Sequence, residues 1–179
     1  MDLMRTLWGW ITALMISLAA LTAPGAAQAD SLASFLSDLT PNDLFPGAEA
    51  FGPIRADVPV APVLKGGETV AYAFLTSDFV GTTGYSGKPI HVVAAIDMDA
   101  VLTGVKLVKH SEPIVLIGIP NSKMVALTEG YAGLDLKAEA ATGVEAHDLD
   151  IISGATVTIM IIDDSLVRAG IKVARALGL

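Results

Sequence analysis

Ile90-His91-Val92-Val93-Ala94-Ala95-Ile96-Asp97 and Leu102-Thr103-Gly104-Val105-Lys106-Leu107-Val108-Lys109-His110, joined through Asp97-Met98-Asp99, decide the fold class. Both runs are rich in strand formers, and the short polar turn between them predicts an antiparallel hairpin. In the second run Leu102, Val105 and Leu107 alternate with lysines, which gives one buried and one wet face, with a slip near Gly104. Upstream, Thr69 to Leu75 reads as a further strand, followed by Thr76-Ser77-Asp78. Residues 59–67 carry Pro59, Pro62, Gly66 and Gly67 and read as irregular edge structure, because proline cannot join a central ladder. Downstream, Ile159, Ile162, Leu166, Ala169, Val173 and Leu177 recur at steps of three and four, one face of a helix. Asp163 and Asp164 stand early in it and Arg168, Lys172 and Arg175 late, as the helix dipole favours. A shorter helix is predicted from Asn121 to Glu129, with Asn121 as cap and Gly130 as stop. The reading is α+β, an antiparallel sheet with packed helices.

Composition narrows the chemistry. The 179 residues are 53% hydrophobic and 17% charged, which excludes a disordered chain. The net charge is −8 with lysines and arginines scattered singly, so there is no basic patch for a nucleic acid. Cysteine is absent, which removes disulfides, iron–sulfur clusters, thiolate metal sites and cysteine nucleophiles together. Redox chemistry would have to come from a cofactor held by other residues.

Residues 1–29 have the layout of a secretory signal peptide: Arg5 ahead of the apolar run Ile11 to Leu21, a break at Pro24-Gly25, and the small-x-small site Ala27-Gln28-Ala29. Cleavage is expected after Ala29. The alternative is an uncleaved anchor, since the stretch from Leu7 to Ala27 is nearly long enough to span a bilayer. After it, residues 30–44 read as a helical lead-in, with Ser31 capping Leu32-Ala33-Ser34-Phe35-Leu36 and Thr40-Pro41 ending or restarting the helix.

Asp150-Ile151-Ile152-Ser153-Gly154-Ala155-Thr156-Val157-Thr158 leads into the last helix. It offers three hydroxyls, two small residues and backbone N–H groups at a positive dipole end, which suits a phosphate. An ordinary N-cap by Ser153 or Thr156 accounts for the same residues without a ligand.

The pattern Asp150-x-x-Ser153-Gly154-Ala155-Thr156 resembles the Asp-x-x-(Ser/Thr)-Gly-Ala-Thr motif of FMN-binding domains of the RnfG, NqrC and NosR type. The resemblance implies FMN joined through its phosphate to Thr156 by a flavin transferase that uses FAD. Ser153, Gly154 and Ala155 would then shape the site, Asp150 would assist recognition by the transferase, and Thr158 would bond the phosphate or the helix start. Gly84-Tyr85-Ser86-Gly87-Lys88-Pro89-Ile90 is similar to the family's glycine-rich entry into its central strands. His110-Ser111-Glu112-Pro113-Ile114-Val115-Leu116-Ile117-Gly118-Ile119-Pro120 is most similar to the NosR/NirI branch. The likeness covers about residues 45–179 and makes that stretch the expected FMN-binding domain. Members of that branch continue into membrane helices and cysteine-rich domains. The chain ends at Leu179, which leaves a stand-alone flavodomain and a piece of a longer protein both open.

Ile114 to Ile119 has two readings that stand side by side: a buried strand, and an apolar loop rimmed by Glu112 and Gly118 that covers the flavin ring. On the second, Glu112, Pro113, Ile114, Gly118 and Tyr85 border the cofactor. Gly81 to Lys88 fails as a phosphate-binding P-loop, since Thr82 stands where a glycine is needed and Pro89 follows the lysine. His91, His110 and His147 lack metal-ligand spacing, and no Gly-x-Ser-x-Gly elbow is present. The resemblance thus implies an exported or membrane-associated electron carrier rather than an independent enzyme, meeting a membrane or periplasmic redox partner in nitrous-oxide reduction or maturation of its reductase. A flavin-free regulatory module of the same fold, docking on a membrane partner, is the competing expectation. A flavin reductase is disfavoured because no Gly-x-Gly-x-x-Gly signature is present.

Overall fold

The computed structural model describes residues 32–142 and 155–179. The signal-peptide reading, His147 and the motif residues Asp150, Ser153 and Gly154 lie outside the described residues. Five antiparallel strands follow one another in spatial order: β1 (Ala50–Phe51), β2 (Val60–Lys65), β3 (Glu68–Leu75), β4 (His91–Asp97) and β5 (Leu102–Lys109). The helices are α1 (residues 32–36), α2 (Thr76–Phe79), α3 (Pro113–Gly118), α4 (Asn121–Glu129), α5 (Leu136–Thr142) and α6 (Thr156–Leu177). Among the described residues no helix is long and apolar enough to cross a membrane.

The apolar run of β4 is explained by burial on both faces. Val92, Ala94 and Ile96 turn to one core, with Ile159, Ile162, Leu166, Ala169 and Val173 of α6. Val93 and Ala95 turn to a second core with Leu32, Leu36 and Leu44 of the lead-in. Alternate side chains of a strand point to opposite faces, so a strand covered twice reads as continuously apolar. The predicted hairpin forms, and its register slips where Ala95 faces Gly104 but Ile96 faces Leu102, leaving Thr103 as the extra residue. Thr103 then turns its hydroxyl to the Leu44 carbonyl at 2.7 Å, which pins the lead-in to the sheet.

The reading of residues 59–67 as irregular edge structure is corrected: β2 pairs with β3 from Val60 to Lys65. Pro62 is tolerated because of the side it faces. Its carbonyl accepts from Gly52 N–H at 2.7 Å, so its missing N–H also points toward the short β1 and not into the β3 ladder. Thr76-Ser77-Asp78 continues as the single-turn helix α2, which packs on α6 and β4. In the lead-in, Thr40-Pro41 restarts the chain as a 3-10 turn, with the Thr40 N–H and hydroxyl both donating to Asp43. The helix Asn121–Glu129 forms as expected, although Pro120 rather than Asn121 occupies the cap position. Asp163, read only as a dipole partner, is buried and accepts from the Tyr131 hydroxyl at 3.0 Å, joining the end of α4 to α6. Burial and the Asp163 charge raise the Tyr131 phenol above its usual range.

Two predictions follow from this packing. A Cβ at Gly104 would stand 2.6 Å from the backbone Cα and O of Leu44. Gly104→Ala should therefore lower stability by about 1–3 kcal/mol, read as a shifted midpoint in urea unfolding; an unchanged midpoint would contradict the close packing of lead-in on hairpin. One buried Asp78 carboxylate oxygen has no hydrogen-bond partner among the described residues, and burial raises the pKa to about 6. The native state then binds this proton more tightly than the unfolded chain, so the carboxylate costs stability above pH 6 and nothing below the ordinary value of 3.8. Asp78→Asn should raise the melting temperature at pH 7–8 and leave it unaltered near pH 3. Equal effects at both pH values would rule out the titration.

Candidate functional site

The site is organised around one carboxylate. After β5 the chain runs through His110-Ser111 to Glu112, which holds extended backbone and precedes Pro113 at the start of α3. Proline suits that first helical position, where its missing N–H leaves no bond unmade. Glu112 is fully buried. Its Oε2 accepts from the Tyr85 backbone N–H at 3.0 Å and from the Thr158 hydroxyl at 2.9 Å, and its Oε1 accepts from the Ser86 N–H at 3.1 Å. Burial alone would push this carboxyl up, but the bonds from Ser86, Thr158 and Tyr85 outweigh it and hold the pKa below the ordinary value. The side chain is therefore an anion at neutral pH.

The Gly84–Gly87 turn is shaped to receive that anion. It closes on itself through Gly87 N–H to Gly84 O at 3.0 Å and Gly84 N–H to Lys88 O at 2.9 Å, with Gly87 at φ +72. Successive backbone N–H groups of Tyr85 and Ser86 converge on Glu112, the arrangement by which turns bind anions. Any Cβ at Gly84 would fall on the Glu112 carboxylate, so glycine is required there for space. The stretch that fails as a P-loop does hold an anion, one supplied by the chain itself.

At the start of α6, Ala155 is buried, Thr156 and Val157 are exposed, and Thr158 and Ile159 are buried. Two residues along a helix is about 200° around it, so the Thr156 and Thr158 side chains leave on opposite sides. The Thr158 hydroxyl is spent on Glu112. Thr156 stands on the surface at the first position of a 22-residue helix, where the dipole is positive.

Ile114 to Ile119 is neither a strand nor an extended loop. Pro113–Gly118 is a helical turn that sends Val115 inward and leaves Leu116 66% and Ile117 86% exposed. Tyr85 is 81% exposed, and Val157 and Met160 are exposed on α6. Among the described residues, six of the eight exposed large hydrophobics (Tyr85, Ile114, Leu116, Ile117, Val157 and Met160) thus lie on the three segments that meet at Glu112. Tyr85, Glu112 and Thr158 are brought together, Ala155 and Thr156 precede Thr158 at the start of α6 with Thr156 turned the other way, and Pro113, Ile114 and Gly118 follow Glu112 in α3. Glu112 lies beneath this surface rather than on its rim. His110 turns Nδ1 toward the Glu112 N–H at 3.4 Å. His91 sits away from these segments, its Nδ1 2.8 Å from the Ser77 hydroxyl oxygen, and burial and Lys109 lower its pKa.

Sequence reasoning missed the carboxylate's part as a tie between segments. Its partners are 26 to 46 residues distant, and no local pattern announces such a bond.

A family model described as FMN-binding domain matches residues 84–169, from the glycine-rich turn to well inside α6. The regulatory protein NosR of Pseudomonas aeruginosa is 36% identical over 176 residues, covering 96% of this chain and 24% of that protein. NosR of Stutzerimonas stutzeri is 33% identical over 174 residues, covering 95% of this chain and 24% of that one. The protein NirI of Paracoccus denitrificans is 32% identical over 180 aligned residues, covering 98% of the chain and 24% of NirI. The chain spans about a quarter of the length of these curated relatives. From the turn that cradles Glu112 through most of its last helix, the chain belongs to the FMN-binding domain family, and it is related to NosR and NirI.

Proposed function

We propose that this domain is exported, carries FMN covalently as a phosphoester on Thr156, and passes electrons to or from a membrane or periplasmic partner in nitrous-oxide reduction or in maturation of its reductase. The observation that carries the reading is the setting of Thr156: an exposed residue on the positive end of α6, flanked on that helix by the exposed apolar side chains of Val157 and Met160. These residues fit the cofactor. The helix end favours a phosphate, and buried Ala155 presents no side chain that would crowd it. Tyr85, Leu116 and Ile117 supply apolar surface of the kind a planar ring covers and that excludes water around it. Bound there, the flavin supplies the redox chemistry that a cysteine-free chain lacks.

Attachment requires a transferase that delivers the flavin from FAD, and the chain contributes the accepting hydroxyl. By likeness of the motif, Ser153 and Gly154 shape the attachment site, and Asp150 serves recognition by the transferase. A covalent link suits an exported protein, which cannot recapture a lost flavin from a cytoplasmic pool. The word regulatory in the NosR names favours a second reading, a flavin-free module of the same fold.

Co-expression with an FAD-using flavin transferase, followed by intact-mass measurement, separates the two. The wild type should gain a flavin-sized increment, and Thr156→Val, which keeps the shape but removes the hydroxyl, should gain none. An increment that persists in Thr156→Val would sink the assignment, and its loss on Thr158→Val alone would move it to Thr158.

A further inference from the structure

We infer that Glu112 is a positioning residue of the flavin site: its buried side chain fixes the Gly84–Gly87 turn and the start of α3 against the first turn of α6, and so sets where the apolar surface stands relative to Thr156. This inference rests on the attachment at Thr156 proposed above.

Three segments far apart in the chain share a single group, because Tyr85 and Ser86 donate from the turn, Thr158 donates from α6, and Glu112 itself opens α3. Each segment also carries exposed apolar side chains: Tyr85 on the turn, Ile114, Leu116 and Ile117 on α3, and Val157 and Met160 on α6. The surface is therefore assembled from parts that Glu112 holds in register. The space at Gly84 is kept for it.

Occupancy gives a second consequence. The paired N–H groups of Tyr85 and Ser86 already bind an anion of the chain's own, so this turn is not the cradle for the flavin phosphate. The phosphate is left to the end of α6, while the turn serves to place Tyr85. The Thr158 hydroxyl is held inward by the same group, which leaves Thr156 as the outward acceptor.

The test uses the full chain co-expressed with an FAD-using flavin transferase, as Thr158→Val, Thr158→Ser and Glu112→Gln. Thr158→Val removes only the tie to α6. Glu112→Gln turns an amide NH2 toward one of the two backbone donors. Both should speed amide hydrogen exchange at Tyr85 and Ser86 by about tenfold, the effect of losing one charge-assisted hydrogen bond. Both should also change the visible circular dichroism of the flavinylated fraction, and Thr158→Ser should restore both signals. Unchanged exchange overturns the tie. Faster exchange with an unchanged flavin signal reduces Glu112 to a structural staple and overturns the positioning role. Absence of any flavin mass on the wild type is the separate failure of the attachment itself, and the inference falls with it. Should Glu112→Gln not fold, Thr158→Val and its serine rescue decide alone.

Discussion

A buried carboxylate is the constraint on which the site depends. Placing an ion among apolar side chains is costly unless each lone pair finds a donor, and a partly satisfied network is worse than an apolar one. Among the described residues, Glu112 meets that demand with the backbone N–H groups of Tyr85 and Ser86, the Thr158 hydroxyl and the Ser86 side chain, and the protein has to bring a turn, a helix start and a strand exit together to supply them. Satisfying the charge and building the site are one event. Glycine at position 84 follows from the same demand, because the carboxylate fills the volume a side chain would need.

Beneath the site, the sheet is rigid because both of its faces are covered. Small residues on one face, Ala71, Ala73 and Ala95, leave room for Leu32, Leu36 and Leu44 of the lead-in to lie close, and Gly104 permits backbone contact with Leu44. The opposite face carries larger side chains, including Phe74 and Ile96, against α6. An element that packs along a sheet has little freedom to tilt, so the end of α6 that carries Thr156 is held by the same packing that fills the core.

What was legible in the sequence was what repeats locally. The three- and four-residue steps from Ile159 to Leu177 located α6, and strand formers around a polar turn located the hairpin, including its slip opposite Gly104. The misreadings share a cause, dependence on partners distant in sequence. Pro62 looked like an edge residue until the direction of its missing N–H was known, and that direction depends on which strand lies on either side. Ile114 to Ile119 looked like a strand or a covering loop, because apolar content alone does not distinguish a strand from a helical turn opened by proline. Asp163 was read only as a dipole partner, while its burial goes with Tyr131, brought in from the turn after α4. The motif around Thr156 was legible as a likeness, and so was a division of labour between its two threonines, but the bond from Thr158 to Glu112 was not.

That division follows from helix geometry alone. Hydroxyls two positions apart on an α-helix cannot share an environment, so a sequence with threonine at both 156 and 158 sends one inward whenever the other faces solvent. The inward one must find an acceptor, and Glu112 is that acceptor. Once Thr158 is committed, exchanging the two roles would require rotating α6 by about half a turn. Ile159 and Ile162 would then leave the core. The hydrophobic face of the helix and the choice of outward threonine are therefore one choice, made by packing before any ligand arrives.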